Sequence, residues 1–198
     1  LNLTESQLQN KVDKLPVVLS QKAFIMLEQG EYQQALEVAQ RVLEVGADQR
    51  IEAYAMRLCG VCHVYLDDIQ NGIATLNQAL EQYRHIRDSN SISIILQDLE
   101  FAHRKAGDWD NVQKSAHEMI AVSRELDNPL QLAWAHSLLG LIQYESGQYK
   151  HAKQTIEKGI SIVKDIDETR ASAYLLWGYG DVLRDTYQFG RAEECYVA

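Results

Sequence analysis

Apolar residues recur along the chain at spacings of three and four. Ile73, Leu76, Leu80 and Tyr83 form one such stripe, and Val112, Ala116, Met119, Ile120 and Ser123 another. That rhythm places each stripe on one face of an α-helix. Polar, charged linkers follow the stripes: Arg87-Asp88-Ser89-Asn90, Asp127-Asn128-Pro129, and residues 165–170. No stretch alternates in the two-residue manner of a strand. The pattern predicts an all-α chain of about ten antiparallel helices.

A longer period lies over the short one. Gly140, Gly147, Tyr149 and Ala152 define a frame. Forty residues on, the columns hold Gly180, Tyr187, Phe189 and Ala192. Forty back, they hold Glu100, Gly107, Trp109 and Val112, and forty further back Gly60, Asp67, Ile69 and Gly72. A last shift of 37 gives Ala23, Gly30, Tyr32 and Ala35. The columns have packing meanings. The first small residue lets two helices approach. The glycine column ends a helix in the left-handed conformation. The aromatic fills the gap between the helices, and the next small residue sits where they cross. Glu100 in a small, buried column predicts either a looser helix contact there or a polar partner such as His103 or Arg104.

This arrangement resembles the tetratricopeptide repeat family over residues 16–198. The resemblance implies a right-handed superhelical solenoid of about five helix-turn-helix repeats, with units 16–52, 53–92, 93–132, 133–172 and an incomplete 173–198. Residues 1–15 read as the end of a preceding helix, with Thr4 as its N-cap. The usual unit of the family is about 34 residues; the extra six are assigned to longer second helices. The 40-residue spacing is similar to that of arrays in bacterial transcription activators of the maltose-activator (MalT/LuxR) type and in Pins-type spindle-orientation scaffolds.

In such arrays the first helix of each repeat lines a concave groove. Carried over by position, the groove includes Tyr54, Arg57 and Tyr65, then Phe101, Arg104 and Lys105, then Trp134 and Tyr144, then Tyr174, Trp177 and Arg184. The groove positions hold eight of the chain's sixteen aromatic residues, an excess that the repeat's own packing does not require. Rigid aromatics interleaved with Arg and Lys suit a binding surface. The resemblance therefore implies a non-catalytic scaffold for a protein or peptide partner, whose acidic groups would lie near Arg57, Arg104, Lys105 and Arg184. The alternative is a small-molecule, inducer-sensing domain of a transcription activator.

Composition narrows the field. The net charge of −9 disfavours direct contact with nucleic acid or anionic membrane. Three cysteines, an odd number, argue against a disulfide framework and fit a reducing cytoplasm. Cys59-Gly60-Val61-Cys62-His63 has the outward form of a haem attachment motif, but Gly60 occupies the helix-packing column, so Cys59 and Cys62 read as core thiols. The six histidines are scattered, no P-loop or nucleophile elbow is present, and neither a metal nor a cofactor is implied. Starting at Leu1 and stopping at Ala198 inside a helical stretch, the chain reads as a piece of a larger protein. An uncapped last repeat would then expose Tyr179, Leu183 and Phe189 and promote self-association.

Overall fold

The computed structural model describes residues 5–166 and 169–197. Among these, ten helices follow one another: α1 Glu5–Glu28, α2 Tyr32–Val45, α3 Gln49–Tyr65, α4 Ile69–His85, α5 Ser89–Ala106, α6 Trp109–Glu125, α7 Pro129–Glu145, α8 Tyr149–Asp165, α9 Thr169–Asp185 and α10 Phe189–Val197. No strand occurs among the described residues. The chain divides into two compact units, residues 1–107 and 108–198. In the first, α1 packs on α2 and α3 on α4 as hairpins, and α1, α3 and α5 lie side by side. In the second, α7–α8 and α9–α10 are the hairpins, and α7 lies beside α9.

The repeat is more regular than the sequence frame suggested. Helices α3, α4, α6, α7, α8 and α9 each have 17 residues. The lengthening relative to a 34-residue unit is thus shared by both helices and not confined to the second. The first helices begin at Gln49, Ser89, Pro129 and Thr169, four residues ahead of the predicted unit starts. Their caps explain the offset. Asp48, Asp88 and Asn128, spaced by 40, accept the backbone N–H of Ile51, Ser91 and Gln131 at 3.1, 3.2 and 3.1 Å. At the chain's beginning, α1 is one helix through Pro16, so residues 5–15 continue the first helix of the array and do not form a separate preceding one. Proline deletes a single N–H from the ladder, and the Ser20 hydroxyl bonds the Pro16 carbonyl at 2.8 Å. Thr4, the expected cap, lies outside the described residues.

The hairpin turns share one closure. Gly147 has φ +73°, and the N–H of Gln148 reaches back to the Gln143 carbonyl at 2.8 Å. Asp67 and Tyr187, in the same column, adopt φ of +66° and +61°, and the N–H groups of the residues after them, Asp68 and Gln188, make the same back-bond to the His63 and Leu183 carbonyls. The motif is therefore kept even where the residue carries a Cβ and must bear the left-handed strain.

The small columns also do what packing requires. A Cβ on Gly60 would lie 2.7 Å from Leu76 and 3.1 Å from the Gly72 carbonyl oxygen. One on Gly140 would lie 2.4 Å from Ile156, and one on Gly180 2.5 Å from Tyr196. Ala23, Ala35, Val112, Ala152 and Ala192 are buried in the matching positions. Glu100, alone in carrying charge there, is buried and paired with Arg104 at 3.1 Å.

Two expectations about side chains fail. The aromatic column sits at the first residue of each second helix and does not plug the hairpin: Trp109, Tyr149 and Phe189 are exposed. Tyr179 and Leu183 are buried, the former with its hydroxyl bonded to Glu157 and Arg191, so of the three residues expected to lack cover only Phe189 does.

Candidate functional site

The eleven predicted groove residues fall into two sets, one in each unit. In the first unit, Tyr54 and Arg57 on α3 are half-buried. The Arg57 guanidinium meets Asp98 of α5 at 2.5 and 3.4 Å. Burial pushes the Asp98 carboxyl up, against the opposing pull of Arg57. At the far end of α3, Tyr65 is sandwiched between aromatic neighbours. Its ring stacks on Tyr32 at 4.5 Å, nearly parallel, and lies 5.5 Å from Phe101. Arg104 then sits 5.9 Å over the Phe101 ring.

The second unit holds the more open set. Trp134 on α7 and Tyr174 on α9 occupy equivalent places on neighbouring helices, with ring centroids 5.2 Å apart. Trp177, one turn beyond Tyr174, meets it edge-on at 6.4 Å and is 60% exposed. Tyr144 lies at the end of α7 and packs on Tyr149 at 5.8 Å. Tyr144, Tyr174 and Trp177 line a pocket of about 200 Å³ with Ser137, Leu141 and Asp181, floored by Ile156 and Leu175. Trp134 does not line it. Half-buried against the unit's core, it supports Tyr174 from behind. Arg184 stands beside the pocket, 3.3 Å from the Tyr144 hydroxyl.

The cations of the predicted groove are engaged within the protein. Arg57 is paired with Asp98 and Arg104 with Glu100. Lys105 bonds both the Val64 carbonyl, in the last turn of α3, and Asp67, each at 3.0 Å. Arg184 bridges Asp181 and Asp185, both at 2.9 Å. Each of the four cations near which acidic groups of a partner were expected thus already faces a carboxylate of the protein itself. Cys59 and Cys62 are buried free thiols, and burial pushes them up to about 12 and about 11.

Sequence reasoning missed several participants. Tyr32 and Tyr149, assigned to hairpin packing, extend the aromatic sets at the groove residues Tyr65 and Tyr144. Asp98 had no signal, because the equivalent places hold Leu58, Leu138 and Gly178. A pocket of about 420 Å³ in the first unit, lined by Val17 and Ser20 of α1, Arg50 and Tyr54 of α3, Tyr83 of α4 and Ser91 of α5, was also unforeseen.

Residues 135–164, from α7 through most of α8, match the family model described as tetratricopeptide repeat. The comparisons support the tetratricopeptide repeat family. Tetratricopeptide repeat protein 29 of Homo sapiens is 22% identical over 154 residues, covering 73% of this chain and 32% of its own length. The chain thus spans about a third of the curated relatives it matches. Among solved structures, BtubC (BKLC) from P. vanneervenii is similar with a TM-score of 0.80 at 15% identity, covering 94% of this chain and 79% of that one. A putative kinesin light chain of Podosopora anserina with nearly identical TPR-like repeats gives 0.76 at 13% identity, covering 93% and 92%. At such identities the structures establish the fold, a tetratricopeptide-type helical solenoid. No helix among the described residues is long and apolar enough to cross a membrane.

Proposed function

We propose that this tetratricopeptide chain is a non-catalytic scaffold that binds a protein or peptide partner through first-helix side chains of its repeats, foremost those of α7 and α9 in the second unit, within a larger regulatory protein. The exposure of Trp177 beside an apolar pocket carries the reading. Leaving a tryptophan 60% exposed forgoes most of the stabilisation that burying its ring supplies, and folding alone does not require it. With Tyr174 it offers rigid, amphipathic ring surface of the type that dominates interface energetics. The pocket's size favours a peptide over an inducer. About 200 Å³ accommodates one large side chain, whereas sites that enclose a small ligand run to roughly 300–1,000 Å³.

The test is selection from a random-sequence peptide library displayed on phage. The double variant Tyr174→Ala, Trp177→Ala serves as the counter-target, with helicity checked by circular dichroism. The expected result is a set of peptides that bind the native chain and lose about tenfold or more in affinity on the variant. Selected peptides that bind both proteins equally, or no selected peptides at all, would defeat the reading.

A further inference from the structure

We infer that the α7–α9 pocket takes a basic, hydrophobically anchored segment: an aromatic or leucine side chain in the pocket, next to an arginine or lysine that meets Asp181 and Asp185. The inference rests on the proposed function and specifies the chemistry of the partner at that site.

The floor and walls select the anchor. Ile156, Leu175 and Leu141 are apolar, and Tyr144, Tyr174 and Trp177 present ring surface. An apolar side chain entering there leaves water without displacing any protein hydrogen bond.

The rim selects the charge. Asp181 and Asp185 stand one turn apart on α9, with one guanidinium, Arg184, between them. Two carboxylates against one cation leave the rim net negative. Arg184 is held on both sides, and the Tyr144 hydroxyl adds a 2.6 Å bond to Asp185. An anionic partner would have to pull Arg184 away from two carboxylates and then face both of them. A cationic partner meets the net charge without breaking anything, and its head group can also lie against the Trp177 and Tyr174 rings. The overall charge of −9 acts in the same direction at long range, speeding the encounter with basic segments.

The test uses three short synthetic peptides with the same central tryptophan in a Ser-Gly background, flanked by arginines, by serines or by glutamates. Binding is read by fluorescence anisotropy at low and high salt, to the native chain, to Trp177→Ala and to the charge variant Asp181→Asn, Asp185→Asn. The arginine-flanked peptide is expected to bind at least tenfold tighter than the glutamate-flanked one. Its affinity should fall with salt, and it should lose most of its advantage over the serine-flanked peptide on the charge variant. Asparagine keeps the shape of the rim, and circular dichroism with an unchanged thermal midpoint verifies the fold. Binding that needs Trp177 but is indifferent to flanking charge, or prefers glutamate, overturns the inference and leaves the proposed function standing. Binding unaffected by Trp177→Ala, or no binding by any of the three, overturns both.

Discussion

The Tyr144 hydroxyl, in the last turn of α7, donates a 2.6 Å hydrogen bond to Asp185 Oδ2, at the last residue of α9, and so ties the ends of two neighbouring first helices together. The bond acts on both groups. It is the largest cause holding the Asp185 carboxyl below the usual carboxylate range, ahead of Arg184. It is also the largest cause pushing the Tyr144 phenol up to about 12, since a neighbouring carboxylate favours the protonated phenol. Tyr144→Phe should therefore raise the Asp185 carboxyl toward its ordinary value, readable by carbon-13 NMR. Asp185→Asn should bring the Tyr144 phenol back down, readable by ultraviolet difference titration. The thermal midpoint should hardly move, because the network is solvent-exposed.

Two glycines of the second unit should respond to alanine with opposite signs. At Gly140 the added Cβ would lie 2.4 Å from Ile156 Cγ1, within a packed hairpin. Overpacking costs roughly 1–3 kcal/mol, more than the ~1 kcal/mol that alanine gains over glycine in a helix. At Gly178, on the next first helix, the nearest atom to a new Cβ is 4.0 Å away. Gly178→Ala should be stabilising by about 0.5–1 kcal/mol. Urea unfolding of the two variants reads the difference. A Gly140→Ala protein as stable as the native one would mean that the α7–α8 crossing is not close-packed.

The same contrast explains what the sequence could reveal. Gly140, Gly147 and Ala152 were legible because helix crossing and helix termination impose the same demand in every repeat, and so favour small residues and glycine at columns about 40 positions apart. The Asx caps Asp48, Asp88 and Asn128 carry an equal signal that a search for small and aromatic columns overlooks. The pairing of Arg57 with Asp98 joins one particular pair of neighbouring repeats and leaves no period. For that reason the groove cations looked available in the sequence although each has a carboxylate in the fold. Trp134 and Trp177 likewise share a face by spacing, but spacing does not say which ring the core claims. The structure gives Trp134 to the core's edge and Trp177 to solvent.

Tyr187 holds the left-handed place at the α9–α10 turn, with φ +61° and its side chain 81% exposed. An L-residue there bears roughly 1–2 kcal/mol of strain that glycine avoids. Glycine returns part of that through greater freedom in the unfolded chain. Tyr187→Gly should raise stability by about 0.5–1 kcal/mol in chemical denaturation, despite losing an edge-on contact with Phe189 at 6.1 Å. A destabilised variant would show that the Tyr187–Phe189 pair holds the turn more strongly than the strain opposes it.

The three thiols should separate by reactivity. Cys59 and Cys62 are inside α3 and its packing, whereas Cys195 is partly exposed on α10. Thiolate is the reactive form, and burial suppresses it at the first two. Ellman's reagent at neutral pH should titrate one thiol in the folded protein and three in denaturant. Fast reaction of two or more thiols in the folded state would place α3 in frequent local opening.

His136 should make the second unit sensitive to mild acid. It lies in α7 and is 5% exposed, with Nδ1 making no hydrogen bond among the described residues. Burial is the main cause pushing its imidazole down to about 4, with the positive charges of Arg124 and Lys158 adding to it. In the unfolded chain the same group titrates near 6.5. Between about 6.5 and about 4 the unfolded state therefore binds a proton that the folded state refuses, and linkage makes the folded state lose stability as pH falls through that window. Above the window both states are neutral, and below it both are charged, so the contribution is flat on either side. The span corresponds to a loss of up to about 3 kcal/mol. The informative quantity is a difference between two proteins that share every other ionisable group. Stability is measured by urea unfolding from neutral pH down to about 4 for the native chain and for His136→Leu, whose side chain is close in volume and cannot charge. The native protein should lose stability more steeply than the variant through the window, and the two curves should run parallel above it. Parallel curves throughout would mean that His136 accepts its proton in the folded state, and that the helix packing around it opens enough to admit water.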